Sequence, residues 1–210
     1  MPRPIIIDTD PGQDDALAIL LALASPELDV RGVTCVAGNV PLALTSRNAR
    51  IVCELAGRTD VPVYAGASAP LERELVTAEY VHGKTGLDGY DLPEPSMPLA
   101  EGHAVDFIIE AVMDAEPGTL TLCALGPLTN LGQALRQAPE ISTRLREIVL
   151  RGGGLFEGGT TTPAAESSSD VDPEAADLVM HCGAPVVMIP LDLTHQTLTS
   201  DAIIADFRAM

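Results

Sequence analysis

Tryptophan is absent from the 210-residue chain, and aromatic residues together make up 3% of it. Basic residues are also few: 12 lysines and arginines stand against 30 aspartates and glutamates, so the formal net charge is −18. Binding to a nucleic-acid backbone requires clustered basic side chains, and stacking on single-stranded bases requires exposed aromatic rings. The composition provides neither, and we expect no nucleic-acid partner.

Long apolar runs are also missing from the sequence. No stretch approaches the 18 apolar residues expected of a membrane span, and the N-terminal apolar run is too short for a signal peptide. The cysteines Cys35, Cys53, Cys123 and Cys182 are far apart and lack the C-x-x-C spacing of zinc or redox motifs. We therefore expect free thiols, a reducing cytoplasmic location and no membrane partner.

Short apolar runs rich in β-branched residues alternate with longer helical patterns. The short runs predict buried strands at 5–8, 30–36, 61–64, 120–124, 148–150 and 186–189. The longer patterns predict helices at 13–24, 42–56, 103–115, 128–137, 173–182 and 199–208. This alternation is typical of a parallel sheet covered by helices on both faces. We expect one α/β domain over residues 1–210, with a doubly wound, mostly parallel sheet.

Four aspartates lie within eight residues directly after the first predicted strand, namely Asp8, Asp10, Asp14 and Asp15. Helix capping, worth about 1 kcal/mol per cap, explains one or two of them but not four. Two like charges about 4 Å apart repel by about 4 kcal/mol at an effective dielectric of 20, so a neutralising cation is expected. Carboxylate oxygens without nearby histidine or cysteine favour Ca²⁺ or Mg²⁺ over zinc. Ligands of open parallel sheets bind beyond the carboxyl ends of the strands, which places the expected metal there.

A series of ordered motifs along the chain resembles the inosine–uridine-type nucleoside hydrolases. These motifs are the aspartate-rich segment 7–16, Ala37-Gly38-Asn39, His82-Gly83, and the segments 125–130, 162–166, 171–176 and 191–196. The resemblance covers essentially the whole chain. It implies a doubly wound α/β enzyme that uses Ca²⁺ to hydrolyse the N-glycosidic bond of ribonucleosides, releasing ribose and a free base. It also implies a homodimer or homotetramer.

The resemblance assigns the metal and the catalytic base to three residues. Asp10 and Asp15 match metal ligands, and the main-chain carbonyl of Leu125 matches a third. Asp10 also matches the general base that activates the Ca²⁺-bound water. This chemistry agrees with the residue types, because a divalent ion lowers the pKa of its water and an adjacent carboxylate accepts the proton.

Four further residues match groups that hold the substrate. Asp14 and Asn39 match groups that bind ribose hydroxyls, Glu166 matches one near the 5′ end of the sugar, and His82 matches a histidine beside the nucleobase. Cleavage of an N-glycosidic bond builds positive charge on the sugar, which an anionic pocket stabilises. A pocket lined by aspartate and glutamate also suits a neutral sugar and repels a phosphorylated one.

The chain departs from the family pattern in several places. Thr160 and Ser168 stand where the family has ribose-binding asparagines, and each offers fewer hydrogen-bonding groups. Arg151 stands where the family usually has methionine before a run of glycines. Family chains also continue beyond residue 210 and supply a further aspartate ligand and a histidine that protonates the base. We therefore expect weak or absent turnover in this chain.

Two alternatives follow from these departures and from the aspartate cluster. The first is a non-catalytic or weakly active relative that binds metal or nucleoside. The second is a phosphatase of the haloacid-dehalogenase type, which also places Asp-x-Asp after its first strand. The Pro-Gly-x-Asp-Asp continuation at 11–15 is wrong for such a phosphatase. Release of free ribose rather than free phosphate distinguishes a nucleoside hydrolase from a phosphatase.

Overall fold

The computed structural model describes residues 1–89, 91–163 and 165–209. In this part of the chain, six strands alternate with helices. The strands are β1 (Arg3–Thr9), β2 (Leu28–Cys35), β3 (Val63–Ala65), β4 (Thr121–Ala124), β5 (Glu147–Arg151) and β6 (Val186–Ile189). The longer helices are α1 (Gln13–Ala24), α2 (Leu42–Leu55), α4 (Ala104–Asp114), α5 (Thr129–Gln137), α8 (Pro173–Met180) and α10 (Asp201–Ala209). Short helical turns form α3 (Glu79–His82), α6 (Ile141–Arg144), α7 (Ser167–Val171) and α9 (Leu191–Thr194).

The six strands form one sheet in the order β3-β2-β1-β4-β5-β6, and every neighbouring pair is parallel. The chain therefore winds outward from β1 to β3 and then returns to the other side of β1 at β4. The doubly wound parallel sheet expected from the sequence is confirmed. The order reverses between β1 and β4, and in such sheets the crevice beyond that point is the usual ligand site.

The three isoleucines of β1 show why the sheet is covered on both faces. Ile6 packs in a core with residues of β4, β5, α4, α5 and α8, whereas Ile5 and Ile7 pack in a second core with residues of α1, α2, β2 and β3. Successive side chains of a strand point to opposite faces, so an unbroken apolar run is buried only between two helical layers.

Helix α8 begins at Pro173, the first residue predicted for it, and Asp172 is its N-cap. The Asp172 carboxylate accepts hydrogen bonds from the main-chain nitrogen of Ala175 at 3.0 Å, from Thr129 Oγ1 at 2.6 Å and from the main-chain nitrogen of Leu71 at 2.9 Å. One buried carboxylate thus joins α8, α5 and the segment that follows β3.

The cysteines and the helix lengths can be compared with what the sequence predicts. Cys35, Cys53, Cys123 and Cys182 are all free, as expected; Cys35 and Cys53 are buried, whereas Cys123 and Cys182 are only partly buried. Across the described ranges, none of the helices combines the length and the apolar character that crossing a membrane requires.

Candidate active site

The carboxyl ends of the strands meet at one edge of the sheet, which we call the C-edge. The turn after β1, the Gly38-Asn39 segment after β2, Leu125 after β4 and Arg151 at the end of β5 all lie there. A cavity of about 600 Å³ opens at this edge. Asp14, Asp15, Leu125, Arg151 and Thr160 line it together with residues of α9 and the segment after it.

Asp10 and Asp15 form the buried floor of the C-edge, with 4% and 6% of their surfaces exposed. Asn39 joins them, because its main-chain nitrogen donates to Asp10 Oδ2 at 2.7 Å and its Nδ2 lies 3.5 Å from Asp15 Oδ2. Asn39 Nδ2 also donates to the main-chain oxygen of Asp10 at 3.0 Å. Thr9 Oγ1 and the Gly12 nitrogen donate to the two oxygens of Asp15, at 2.8 and 3.1 Å. The two carboxylates are therefore held in fixed positions before any ligand arrives.

Two glycines make room for the Asp10 carboxylate. A Cβ atom at Gly38 would overlap Asp10 Oδ2, and a Cβ atom at Gly126 would overlap Asp10 Oδ1. The backbones after β2 and β4 thus approach the carboxylate from two sides. Glycine is required here for space, since any side chain would displace the carboxylate.

The electrostatics of Asp10 and Asp15 favour a bound cation. Burial raises the pKa of Asp10 well above its ordinary value, and the neighbouring charge of Asp15 raises it further. Burial also raises the pKa of Asp15, with a further contribution from the charge of Asp14. Removing carboxylates from water and placing them together disfavours their charged forms, and a cation between them removes this penalty.

Asp8 occupies a different position from the other aspartates of the cluster. Its Oδ1 accepts from Thr34 Oγ1 at 2.6 Å and from Asn130 Nδ2 at 2.8 Å, whereas its buried Oδ2 has no hydrogen-bond partner. Burial raises its pKa to about 7, against the effect of the two hydrogen bonds. Asp8 still belongs to β1 and pairs with Ala124 of β4, so it supports the site from within the sheet.

Asp14 faces solvent, and its side chain is 60% exposed although the next residue is buried. Arg151 reaches toward it, with Nη2 3.8 Å from Asp14 Oδ2, and its Nη1 lies 3.0 Å from Glu166 Oε1. The side chain of Glu166 is 2% exposed, and its Oε2 accepts from the Ser168 nitrogen at the start of α7. The sequence shows Arg151 as a departure from the family pattern but does not predict its contacts with Asp14 and Glu166. The signal for them is a basic residue at the end of a strand that leads into an acidic edge of the sheet.

His82 lies beside the turn that leads from β1 into α1. Its Nδ1 is 2.9 Å from Gln13 Oε1, Gln13 Nε2 donates to its main-chain oxygen at 3.3 Å, and its ring packs against Gly12. The structure thus brings His82 to the rim of the same edge as Asp10 and Asn39.

The glycine-rich loop after β5, residues 152–163, is fastened by α9. Asp192 accepts hydrogen bonds from the main-chain nitrogens of Leu155, Phe156 and Glu157 at 2.7 to 3.1 Å, and these bonds lower its pKa. His195 Nδ1 lies 2.8 Å from Glu157 Oε2. His195 therefore helps to position this loop.

The ligand set of the site consists of oxygen atoms. Asp10 and Asp15 are the acidic side chains that meet at its floor, and Leu125 lines the same cavity as Asp15. Among the described residues, no group of three or more histidine, cysteine, aspartate or glutamate side chains has the arrangement of a metal site. Two buried carboxylates with raised pKa values nevertheless fit a hard divalent cation that keeps several water ligands.

A family model for the inosine-uridine preferring nucleoside hydrolases matches residues 5–210. The chain belongs to this family. An uncharacterized protein of Schizosaccharomyces pombe is 55% identical over 206 residues, covering 98% of this chain and 66% of that protein. The pyrimidine-specific ribonucleoside hydrolase RihA of Photobacterium profundum is 49% identical, covering 99% of this chain and 66% of that protein.

Among solved structures, the purine-preferring ribonucleoside hydrolase from Gardnerella vaginalis superposes with a TM-score of 0.91 at 38% sequence identity. The match covers 94% of this chain and 64% of that one. The chain thus has the α/β fold of the nucleoside hydrolases and spans just under two thirds of the length of these relatives. Membership of the family also points to a metal-dependent enzyme.

Proposed function

We propose that this protein hydrolyses the N-glycosidic bond of ribonucleosides, releasing ribose and a free base. The observation that carries the proposal is the buried Asp10–Asp15 pair, joined by Asn39 at the point where the strand order reverses. This pair lies in a chain whose residues 5–210 match the nucleoside hydrolase family. Relatives with assigned activities act on ribonucleosides according to their names.

We assign the metal of this site to Ca²⁺, held by Asp10, Asp15 and the main-chain carbonyl of Leu125. Support comes from the all-oxygen donor set, from the burial of both carboxylates and from their raised pKa values. Ca²⁺ takes six to eight oxygen ligands in flexible geometry, which suits two carboxylates, one carbonyl and water. When bound, such an ion lowers the pKa of a coordinated water molecule.

In this proposal Asp10 accepts the proton of the attacking water. A general base has to be deprotonated before it can accept a proton, and a cation beside the buried Asp10 carboxylate would favour its charged form. Asp14 and Asn39 bind ribose hydroxyls, Glu166 lies toward the 5′ end of the sugar, and His82 lies beside the base. As the bond breaks, positive charge grows on the sugar, and the surrounding carboxylates stabilise it.

The substrate class is a ribonucleoside, with the base left open. The Photobacterium relative is named as pyrimidine-specific and the Gardnerella relative as purine-preferring. Members of the family that share this fold thus differ in the base that they accept. A test of function has to include both inosine and uridine.

A ribose-release assay with inosine and uridine in the presence of Ca²⁺ tests the proposal. We expect slow release by the wild-type chain, because Thr160 and Ser168 replace two ribose-binding asparagines of the family pattern. Asp10→Asn should lose a further factor of about 10²–10⁴, because that variant lacks the proton acceptor. Asp106→Asn, which changes an exposed aspartate of α4, is the matched control and should retain wild-type activity.

Three outcomes would contradict the proposal. Equal rates for the wild type and Asp10→Asn would remove Asp10 from the reaction. Nucleoside and metal binding without ribose release would favour the non-catalytic relative, and release of phosphate from phosphate monoesters would favour the phosphatase.

A further inference from the structure

Arg151 brings a positive charge into an otherwise acidic part of the C-edge. It stands at the end of β5, it lines the 600 Å³ cavity, and 35% of its side chain is exposed. Its Nη1 lies 3.0 Å from Glu166 Oε1 and donates to Ser168 Oγ at 3.3 Å. The guanidinium is thus anchored on one side by residues at the start of α7.

Glu166 is fully engaged in the same contacts. Its Oε1 accepts from Arg151 and from Ser167 Oγ at 3.3 Å, and its Oε2 accepts from the Ser168 nitrogen at 3.1 Å. The carboxylate therefore completes the first turn of α7 and neutralises the guanidinium. With 2% of its side chain exposed, Glu166 leaves little surface for a sugar hydroxyl, and displacing one of its present partners would be costly because the charge is buried.

The other side of the guanidinium faces the cavity. Nη2 lies 3.8 Å from Asp14 Oδ2, which is too far for a direct hydrogen bond. Thr160, whose Oγ1 accepts from the Ser167 nitrogen at 3.1 Å, lines the same cavity. A ligand at this place meets a guanidinium that presents donors, beside a fully engaged carboxylate.

We infer that Arg151 makes the sugar-binding part of the site select a ribosyl group with an anionic 5′ substituent, such as a phosphate, over an uncharged ribosyl group. The inference rests on the proposed function, because that proposal places the 5′ end of the sugar toward Glu166. A guanidinium binds phosphate or carboxylate oxygens by charge-assisted hydrogen bonds, which are roughly twice as strong as those to a neutral hydroxyl.

The remaining charges at the C-edge permit such a ligand. Asp10 and Asp15 lie on the floor, where a divalent cation would neutralise them, and Glu166 is paired with Arg151. Asp14 is the nearby acidic group that opposes an anion, and with 60% of its side chain exposed its field is screened by water. An acidic pocket is expected to repel phosphorylated sugars. At the end of the cavity that Arg151 lines, we expect attraction of a phosphate instead.

Calorimetric titration of the Ca²⁺-loaded chain with ribose, ribose 5-phosphate and inorganic sulfate tests the inference. We expect ribose 5-phosphate to bind at least about tenfold more tightly than ribose, and more tightly than sulfate, because the site holds both sugar and anion. Equal binding of ribose and ribose 5-phosphate would overturn the inference. Equal binding of sulfate and ribose 5-phosphate would also overturn it, because the site would then recognise an anion alone.

Variants of Arg151 locate the preference. Arg151→Gln keeps a donor for Glu166 and Ser168 but removes the charge, and we expect the tenfold preference to disappear; Arg151→Lys should retain part of it. Arg136→Gln, which breaks a surface ion pair with Glu72, is the control and should bind like the wild type. An undiminished preference in a folded Arg151→Gln protein would contradict the role of Arg151. If that variant does not fold, Arg151→Lys and the wild-type titrations decide the question.

These titrations need no turnover, so the two proposals fail separately. Ribose 5-phosphate binding that depends on Arg151, in a chain that releases no ribose, would uphold this inference and reject hydrolysis. Ribose release with no preference for the phosphorylated sugar would uphold hydrolysis and reject this inference.

Discussion

The two halves of the C-edge are built in different ways. In the β1–β2 half, Asp8, Asp10 and Asp15 are buried and held by hydrogen bonds from neighbouring strands and turns. In the β5–β6 half, the Arg151–Glu166 ion pair and a glycine-rich loop fastened by exposed contacts form the wall. In the first half, burial disfavours the charged form of the carboxylates and raises their pKa values. In the second half, the charges of Arg151 and Glu166 are paired with each other.

This difference separates two tasks. A metal and a catalytic base require atoms fixed to within a fraction of an ångström, and the buried, hydrogen-bonded carboxylates of Asp10 and Asp15 provide that. We propose that the β5–β6 half recognises the 5′ end of the sugar, where a single residue such as Arg151 changes the chemistry of the cavity without disturbing the sheet. The departures from the family pattern, Arg151, Thr160 and Ser168, all lie in that second half.

The pH dependence of the free energy of unfolding tests most strongly whether burial disfavours the charged form of the carboxylates in the β1–β2 half. Because the folded pKa of Asp8 is raised to about 7, the folded chain keeps a proton that the unfolded chain loses above about pH 4. Its contribution to stability is therefore full below about pH 4 and is lost as the pH rises toward 7. In chelator, Asp8→Asn should gain on the order of 3 kcal/mol relative to the wild type at pH 8 compared with pH 5.

Urea unfolding at the two pH values measures this gain. Asp192→Asn is the control from the other half, because the folded pKa of Asp192 is lowered and its contribution is lost only on acidification below about pH 4. That variant should show nearly the same difference from the wild type at pH 5 and pH 8. A wild-type chain and an Asp8→Asn chain with parallel pH profiles would contradict the account of the β1–β2 half.

Substitution of glycines compares the rigidity of the two halves. A Cβ atom at Gly38 would overlap the Asp10 carboxylate, so Gly38→Ala should lower ribose release by about 100-fold, the cost of a displacement of about 1 Å at a catalytic group. Gly158→Ala adds the same methyl group to the β5–β6 loop, where the nearest atom is the Pro163 oxygen at 3.4 Å. It should change the rate by less than about threefold. Equal losses in the two variants would abolish the distinction.

Asp14 is in α1 and lies near Arg151, so it is close to both halves. Its substitution tests whether metal binding and sugar binding are separate. Asp14→Asn should weaken inosine binding by about tenfold through one lost charged hydrogen bond, while the affinity for Ca²⁺ stays within about threefold. The exposed position of Asp14 beside Arg151, away from the buried pair, is the reason for this expectation. Calorimetry with inosine and with Ca²⁺ measures both affinities. A collapse of Ca²⁺ affinity would make Asp14 a metal ligand.

The fold could be predicted from the sequence because its longer elements have clear apolar periods. All six strands and the six longer helices lie within a few residues of their predicted positions. The short helices α3, α6, α7 and α9 were not predicted, since four or five residues carry no helical period. The C-edge was also predictable, because every parallel strand brings its carboxyl end to the same side.

The internal arrangement of the site was only partly predictable. The sequence places Asp8 and Asp14 in one cluster with Asp10, but Asp8 remains in β1 beneath Asn130 and Asp14 turns toward solvent. The contact between Arg151 and Glu166 spans a loop without periodic structure. Backbone pairing and loop closure decide such contacts, and neither is encoded in the spacing of residue types.

Calcium titration tests the central claim most directly, namely that the β1–β2 half holds a divalent cation through Asp10 and Asp15. Chelator-treated wild-type protein and the Asp106→Ala control should each bind one Ca²⁺ in calorimetry. Asp10→Ala and Asp15→Ala should bind none under the same conditions, because each removes one of two buried charges. Unchanged Ca²⁺ binding in both variants would contradict the account.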